Sequence, residues 1–188
     1  MMIISAMTCA WAQADGLTES PDGEEAVTVY FTPDQALAKV FAEADSMATD
    51  HRELNTDEVV ALELALGWHL AETSFDVHRA WDQGKDLGYA VITAEQGRFK
   101  PITFLVQVKP DFSVEMVLVM VYRESRGDGV KRQRFLKQFR KKDSADHLRL
   151  NRDIVAVSGA TMSSRGITAG VKKVLNLVEM LYGESGMK

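Results

Sequence analysis

Four runs of residues between positions 75 and 122 have the pattern of β-strands. Three of them alternate apolar with polar side chains, a period of two that buries one face of a strand, and the fourth, Val114 to Tyr122, is almost wholly apolar. The connections between them are short turn sequences, Asp82-Gln83-Gly84-Lys85, Glu95-Gln96-Gly97-Arg98 and Lys109-Pro110-Asp111-Phe112. Because short turns join antiparallel neighbours, this region predicts an antiparallel meander.

Segments with helical periodicity lie on both sides of the meander. Before it, the capping box Thr32-Pro33-Asp34-Gln35 predicts a helix from about Pro33 to Ser46, and Asn55-Thr56-Asp57-Glu58 predicts the start of a second one. After it, Val130 to Phe139 predicts a helix that flanks the sheet, and Ile167 to Leu181 predicts an amphipathic helix. The predicted fold class is α+β, an antiparallel β-sheet meander with flanking helices.

The first residues indicate export. Met1 to Ala14 is mostly apolar or small and contains Ala10-Trp11-Ala12, an A-x-A cleavage pattern, although no Lys or Arg precedes it. We expect a signal peptide over 1–12 and therefore a periplasmic or otherwise exported protein, with membrane association left open. The only cysteine, Cys9, lies inside this segment, so the mature chain would have no thiol for a disulfide, a zinc site or catalysis.

The rest of the chain is long enough for one domain of ordinary size. Its 188 residues are 46% hydrophobic, which can supply a core. We expect a flexible leader over 13–30, whose first part is rich in acidic residues, Gly and Ser. An N-terminal helical segment over 31–73 and the main domain over 74–183 would follow.

The charge distribution is uneven. A formal net charge of −5 argues against nucleic acid as a partner. Between Arg123 and Lys142, however, nine basic residues stand against two acids, Glu124 and Asp128. This segment predicts a locally positive surface, which is either a solvated helix face or a binding patch.

A run of small residues, Ser158-Gly159-Ala160-Thr161, precedes the last predicted helix. A hydroxyl on a tight turn beside a helix N-terminus suits a phosphate, because free backbone N–H groups and the helix dipole both favour an anion. Ser163 and Ser164 could cap this helix or donate to phosphate oxygens. The alternative is an ordinary strand-to-helix turn, in which Ser, Gly and Thr are common for backbone reasons.

Several segments, taken in order, resemble the FMN-binding domain family. This family includes the covalently flavinylated subunits of the sodium-translocating NADH:quinone reductase and of Rnf-type complexes, and the likeness is to its small periplasmic members. The segments that carry it cover roughly the C-terminal half and are Gly88-Tyr89-Ala90-Val91, Pro101-Ile102-Thr103-Phe104, Tyr122 to Asp128, Arg134 to Phe139, and Asp153 to Ser164. The most specific is Ser158-Gly159-Ala160-Thr161, because relatives carry FMN as a phosphoester on the last residue of this motif.

The resemblance implies a set of cofactor-binding residues. Thr161 would carry FMN through its phosphate, Arg165 would help neutralise the phosphodiester, and the Glu124 loop would approach the flavin, unless it is merely a connection. The residues so implied are Thr161, Ser158, Gly159, Ala160, Ser163, Ser164, Arg165, Glu124, Ser125 and Gly127.

One position departs from the family pattern. Relatives usually have an acid three residues before the motif, and here that position is Val155, with Asp153 two residues earlier. The acid belongs to the sequence that the flavin transferase recognises. Covalent FMN at Thr161 and noncovalent FMN therefore both remain open.

The expected function is that of an exported electron carrier. A flavin transferase would attach FMN, which would then relay electrons between membrane and periplasmic redox proteins. The four histidines have no metal-ligand spacing, and a Gly-rich dinucleotide fingerprint is missing. We therefore expect no metal and no catalytic residue, an electron-transfer module rather than a stand-alone enzyme. The alternatives are a non-redox binding or adaptor domain that has lost covalent flavin, and a small reductase with noncovalent FMN.

Overall fold

A single antiparallel sheet forms the frame of the molecule. The computed structural model describes residues 27–124 and 127–183. Within these ranges the strands are β1 (Thr28–Val29), β2 (Ser46–Glu53), β3 (Ser74–Asp82), β4 (Lys85–Gln96), β5 (Pro101–Val108) and β6 (Val114–Tyr122). They lie in the order β1-β6-β5-β4-β3-β2, and each neighbouring pair is antiparallel.

Helices and 3-10 turns flank this sheet. The helices are α1 (Pro33–Val40), α2 (Thr56–Leu66), α3 (Gln133–Leu136) and α4 (Thr161–Tyr182), and the 3-10 turns span Asp128–Lys131 and Lys137–Phe139. The α+β class and the β3-to-β6 meander are confirmed, with the three short turns where the sequence predicted them. No helix in the described ranges is long and apolar enough to cross a membrane.

The sheet has a core on each face because its side chains alternate. Phe104 and Val106 of β5 point to one face, where they pack with Ile167 and Leu175 of α4 in the larger core. Leu105 points to the other face, which α1 covers. The alternation that predicted the strands therefore also assigns each helix to its face.

Helix α4 crosses close to the sheet at two glycines. A Cβ atom at Gly166 would lie 2.5 Å from the Gln96 carbonyl oxygen, and one at Gly170 would lie 2.5 Å from the Phe104 ring. Both distances are too short for a real side chain, so this close approach requires glycine. The N-terminal half of α4 is thereby held beside the end of β4.

The structure corrects the predicted N-terminal elements. The helix predicted to reach Ser46 ends at Val40, and Ser46–Glu53 is instead the strand β2, which pairs with β3 along its whole length. Pairing with a free sheet edge decides this conformation, a tertiary effect that the local pattern did not contain. The predicted segments 31–73 and 74–183 therefore share one sheet.

Two other boundaries differ from the prediction. The end of the predicted leader is ordered, since Thr28 pairs with Tyr122 at the edge of the sheet. The helix predicted over Val130–Phe139 is one helical turn between two 3-10 turns, although Phe135 and Phe139 are buried as expected. The predicted signal peptide with Cys9, and the leader up to residue 26, lie outside the described residues.

Candidate functional site

The motif Ser158-Gly159-Ala160-Thr161 forms a tight turn that leads directly into α4. Ser158, Gly159 and Thr161 are exposed, whereas Ala160 is buried. Gly159 has a φ of 75°, and a Cβ atom there would meet nothing within 4 Å. Glycine thus suits this position because of the backbone angle rather than because of space.

Thr161 is the first residue of α4, which starts six positions earlier than predicted. Ala160 occupies the N-cap position, and no side chain caps the helix. The capping role considered for Ser163 and Ser164 is therefore wrong, because both lie inside the first turn. The N–H groups of the first helical residues, Thr161 to Ser163, have no intrahelical partner, and they make the surroundings of Thr161 favourable for an anion.

A cavity of about 470 Å³ opens beside Thr161. Its walls come from the turn between β4 and β5, the end of β6 and the start of α4: Arg98, Phe99, Glu124, Gly159, Ala160, Thr161, Met162 and Ser163. Phe99 and Met162 are 69% and 44% exposed, so both offer apolar surface to the cavity. The cavity therefore combines a helix N-terminus, a cation and apolar walls.

Glu124 holds the turn that forms one wall of this cavity. Its Oε1 accepts hydrogen bonds from the backbone N–H groups of Phe99, at 2.9 Å, and Lys100, at 3.3 Å. The carboxylate thus positions Arg98 and Phe99 at the cavity. Its predicted contact with a cofactor stays a prediction.

Gly127 packs directly against the motif. It has a φ of 88°, and a Cβ atom there would lie 2.8 Å from the Tyr122 hydroxyl and 3.1 Å from the Cβ of Ala160. The loop after β6 and the motif are therefore in contact. Ser125, the neighbouring candidate, lies outside the described residues.

Tyr122 links the end of β6 to the first turn of α4. Its hydroxyl lies 3.2 Å from the Ser163 Oγ, and both residues are buried. Burial raises the pKa of the Tyr122 phenol, with the Ser163 hydrogen bond opposing the rise. The phenol is therefore neutral at ordinary pH, and it fixes Ser163 at the base of the cavity.

Ser164 holds the chain that approaches the motif. It is fully buried, and its Oγ accepts a hydrogen bond from the Val157 backbone N–H at 3.0 Å. Its backbone carbonyl accepts from the Thr168 hydroxyl at 2.7 Å. These contacts assign Ser164 a positioning role, and its predicted contact with phosphate stays a prediction.

Val155 is held by a side chain from the segment that follows β6. Gln138 accepts from the Val155 backbone N–H at 2.8 Å and donates to its carbonyl oxygen at 3.1 Å. The Val155 side chain itself is 70% exposed. Asp153, the nearest acid, accepts from the Arg149 backbone N–H at 2.8 Å, and this bond keeps it in a local turn.

Comparison with protein families matches the part of the chain that carries these residues. Residues 97–176 match the model of the FMN-binding domain. This part of the chain is therefore similar to the FMN-binding domain family. The matched region runs from the turn that Glu124 holds through most of α4, and it includes the whole motif. The resemblance inferred from the C-terminal half is thereby confirmed, and the family supports FMN as the cofactor.

One solved structure similar to this chain is NqrC from Shewanella oneidensis. The two sequences are 22% identical, and the alignment has a TM-score of 0.45. It covers 70% of this chain but 65% of the NqrC chain, so this chain spans a little under two thirds of that structure's length. Comparison with curated proteins gave no match.

The residues of the FMN-binding domain fit a flavin phosphate. The phosphate suits the first turn of α4, and Arg98 supplies a cation on the cavity wall. Arg165, one helical turn beyond Thr161, is exposed on the same side of α4. Sequence reasoning missed Arg98, Phe99 and Met162, although Glu95-Gln96-Gly97-Arg98 had been identified as a turn.

A second groove, of about 500 Å³, lies next to the motif. It is bordered by Val155 to Ser158, the residues that directly precede those bordering the cavity beside Thr161. The groove is lined by Gly129, Arg132, Arg134, Phe135, Gln138, Val155, Ala156, Val157 and Ser158. Part of the basic segment noted in the sequence therefore faces the FMN-binding motif.

Proposed function

We propose that this protein is an exported electron carrier in which FMN is attached to Thr161 by a phosphoester bond. It relays electrons between membrane and periplasmic redox proteins, as a module rather than a stand-alone enzyme. A flavin transferase transfers the FMN group from a flavin dinucleotide: the Thr161 Oγ1 forms its bond to the FMN phosphorus and loses its proton, the pyrophosphate bond of the donor breaks, and the nucleoside monophosphate leaves. When bound, FMN supplies reversible uptake and release of electrons.

The position of Thr161 is the observation that carries this proposal. Its side chain is exposed at the first position of a 22-residue helix, beside the cavity that Arg98 and Phe99 border. A phosphoester here would place the phosphate at the helix N-terminus, where the unpaired N–H groups stabilise its charge.

The exposure of the turn that bears the Thr161 hydroxyl also supports covalent attachment of FMN. The residues that precede Thr161 are small, and Ser158 and Gly159 are exposed. A modifying enzyme could therefore reach the turn without unfolding the domain. Ala160 and Ser164 are buried, and they hold the turn against the rest of the domain.

The surroundings of Val155 favour noncovalent FMN as a second candidate. The acid that relatives carry is missing at this exposed position, and the hydrogen bond from Arg149 holds Asp153 in its own turn. A transferase that reads an acid would find none at the usual distance from Thr161. The cavity could still bind free FMN through the same groups.

Intact-mass measurement after co-expression with a flavin transferase tests the covalent proposal. The wild-type protein should gain the mass of FMN less water, Thr161→Ala should remain unmodified, and Thr161→Ser should retain part of the modification because it keeps a hydroxyl. A colourless, unmodified wild-type protein would contradict the carrier proposal. Yellow colour that filtration removes after denaturation would instead establish noncovalent FMN.

Export needs a separate test. Expression of the full chain in a Gram-negative host, followed by fractionation and N-terminal sequencing, should give a periplasmic protein that begins at Gln13. A protein that stays in the cytoplasm with its N-terminus intact would contradict export, whatever its flavin content.

A further inference from the structure

We propose that the groove beside the FMN-binding motif is the docking surface for an acidic redox protein. This inference rests on the electron-carrier function and names the surface and the charge of the partner. The surface consists of the groove walls together with the exposed cations Arg132, Arg134 and Lys137.

The cations of this surface form no ion pair with any residue of the described ranges. Other bases of the same segment are paired: Lys131 with Asp128, Arg140 with Glu115, and Lys142 with Asp146. Arg132, Arg134 and Lys137 form no ion pair within the described ranges. Three unpaired cations concentrated in a chain of net charge −5 produce a positive field that attracts an acidic partner.

The shape of the surface favours a protein over a membrane. The groove is concave, and its lining combines the guanidinium-bearing residues Arg132 and Arg134 with Val155 and Ser158. A protruding acidic loop can enter such a groove, whereas a bilayer offers a flat face. Val155, which is exposed at its edge, adds the apolar contact that a weak encounter complex needs.

The location suits electron transfer. Val155 to Ser158 line the groove, and the next residues along the chain, Gly159 to Ser163, line the cavity beside Thr161. A partner seated in the groove would lie next to the FMN-binding motif without occupying the cavity. Its affinity would be modest and strongly dependent on salt, as fast electron exchange requires.

Amide chemical-shift mapping tests this inference on the ¹⁵N-labelled full chain without FMN. Two acidic probes are titrated, the soluble haem domain of an acidic b-type cytochrome and a flavodoxin. At low salt, shifts should concentrate at Arg132, Arg134, Gln138, Val155 and Ser158. The dissociation constant should rise roughly tenfold between low and physiological ionic strength.

Charge-reversal variants test whether the arginines of the groove bind the acidic probes. Arg132→Glu with Arg134→Glu should weaken binding at least about tenfold, because two favourable charge interactions become repulsive. Lys85→Glu is the control, since Lys85 is exposed at the start of β4, the end of that strand opposite the cavity. All variants change exposed residues, and circular dichroism would verify that they fold.

Several outcomes would overturn the docking surface. These are shifts centred elsewhere, equal weakening by Lys85→Glu, or no binding of either probe. Binding of the same residues to phosphatidylglycerol vesicles but to neither protein would also overturn it, in favour of a lipid surface. Lost binding with normal FMN attachment would refute the docking surface alone, whereas missing attachment with normal binding would refute the covalent carrier.

Discussion

The Ser164 hydroxyl accepts a hydrogen bond from the Val157 backbone N–H, four residues before the proposed FMN attachment point. The first turn of α4 thus holds the chain that approaches it, and the motif between the two residues forms a closed loop. The geometry of Thr161 therefore depends on a buried serine that need not contact the cofactor.

Replacing Ser164 by alanine should loosen this loop. The Val157 N–H would lose its partner, which costs about 1–2 kcal/mol of the free energy of unfolding. Urea denaturation measures the loss, and flavin attachment at Thr161 should fall with it. Ser158→Ala, an exposed change in the same motif, should alter stability by less than about 0.5 kcal/mol. Equal stability of the two variants would show that the hydrogen bond is unimportant.

Gly127→Ala should disturb the contact between the loop after β6 and the motif. A left-handed φ costs an alanine about 1–2 kcal/mol. The new methyl group would also meet the Tyr122 hydroxyl and Ala160, which adds about 1–3 kcal/mol. Gly84→Ala separates the two effects, because Gly84 has a φ of 79° but open space around it. Thermal denaturation should show the larger loss for Gly127, and identical losses would rule out the steric contact.

Val155→Asp should increase covalent attachment of FMN. The side chain is exposed and its backbone bonds to Gln138 do not involve it, so stability should change by less than about 0.5 kcal/mol. Val155→Asn is the control of equal size without the charge. The modified fraction, read by intact mass, should rise for aspartate alone. No rise, or the same rise for both variants, would mean that an acid at this position is not what limits the transferase.

Lowering the pH should destabilise the turn between β5 and β6, because it protonates Asp111. Hydrogen bonds from the Lys109 ammonium and from Ser113 lower the pKa of Asp111 to about 2. Because the folded-state pKa lies below the unfolded one, this contribution to stability is present above about pH 4 and disappears as the pH falls toward 2. Asp111→Asn should therefore be less stable than wild type at pH 7, with the difference vanishing near pH 2. Urea denaturation across that range would reveal it, and a constant difference would contradict it.

The meander was predictable because its signals are local. Each strand has a period of two or an apolar run, and each turn contains a glycine or proline. The strand β2 was not predictable in this way. Its residues, Ser46 to Glu53, are mostly polar and exposed, and they become a strand only because β3 offers an unpaired edge.

Part of the candidate site was predictable because its sequence signals are also local. The motif and its helix are contiguous in sequence, so Thr161 and Gly159 could be identified directly. Arg98 and Phe99 reach the cavity only because the carboxylate of Glu124 binds their turn across 25 residues of sequence. The periodicity of a sequence contains no information about such a long-range contact. The same is true of the hydrogen bond between Tyr122 and Ser163.

Two hydrogen bonds between the Gln138 side chain and the Val155 backbone hold the chain that leads into the FMN-binding motif. A side chain, rather than backbone pairing between strands, links the chain before the motif to the segment after β6. The Gln138 amide therefore adds a link to the segment after β6 beside the hold that Ser164 has on Val157. A partner that binds this segment would contact the residue whose side chain positions the approach to the FMN-binding motif.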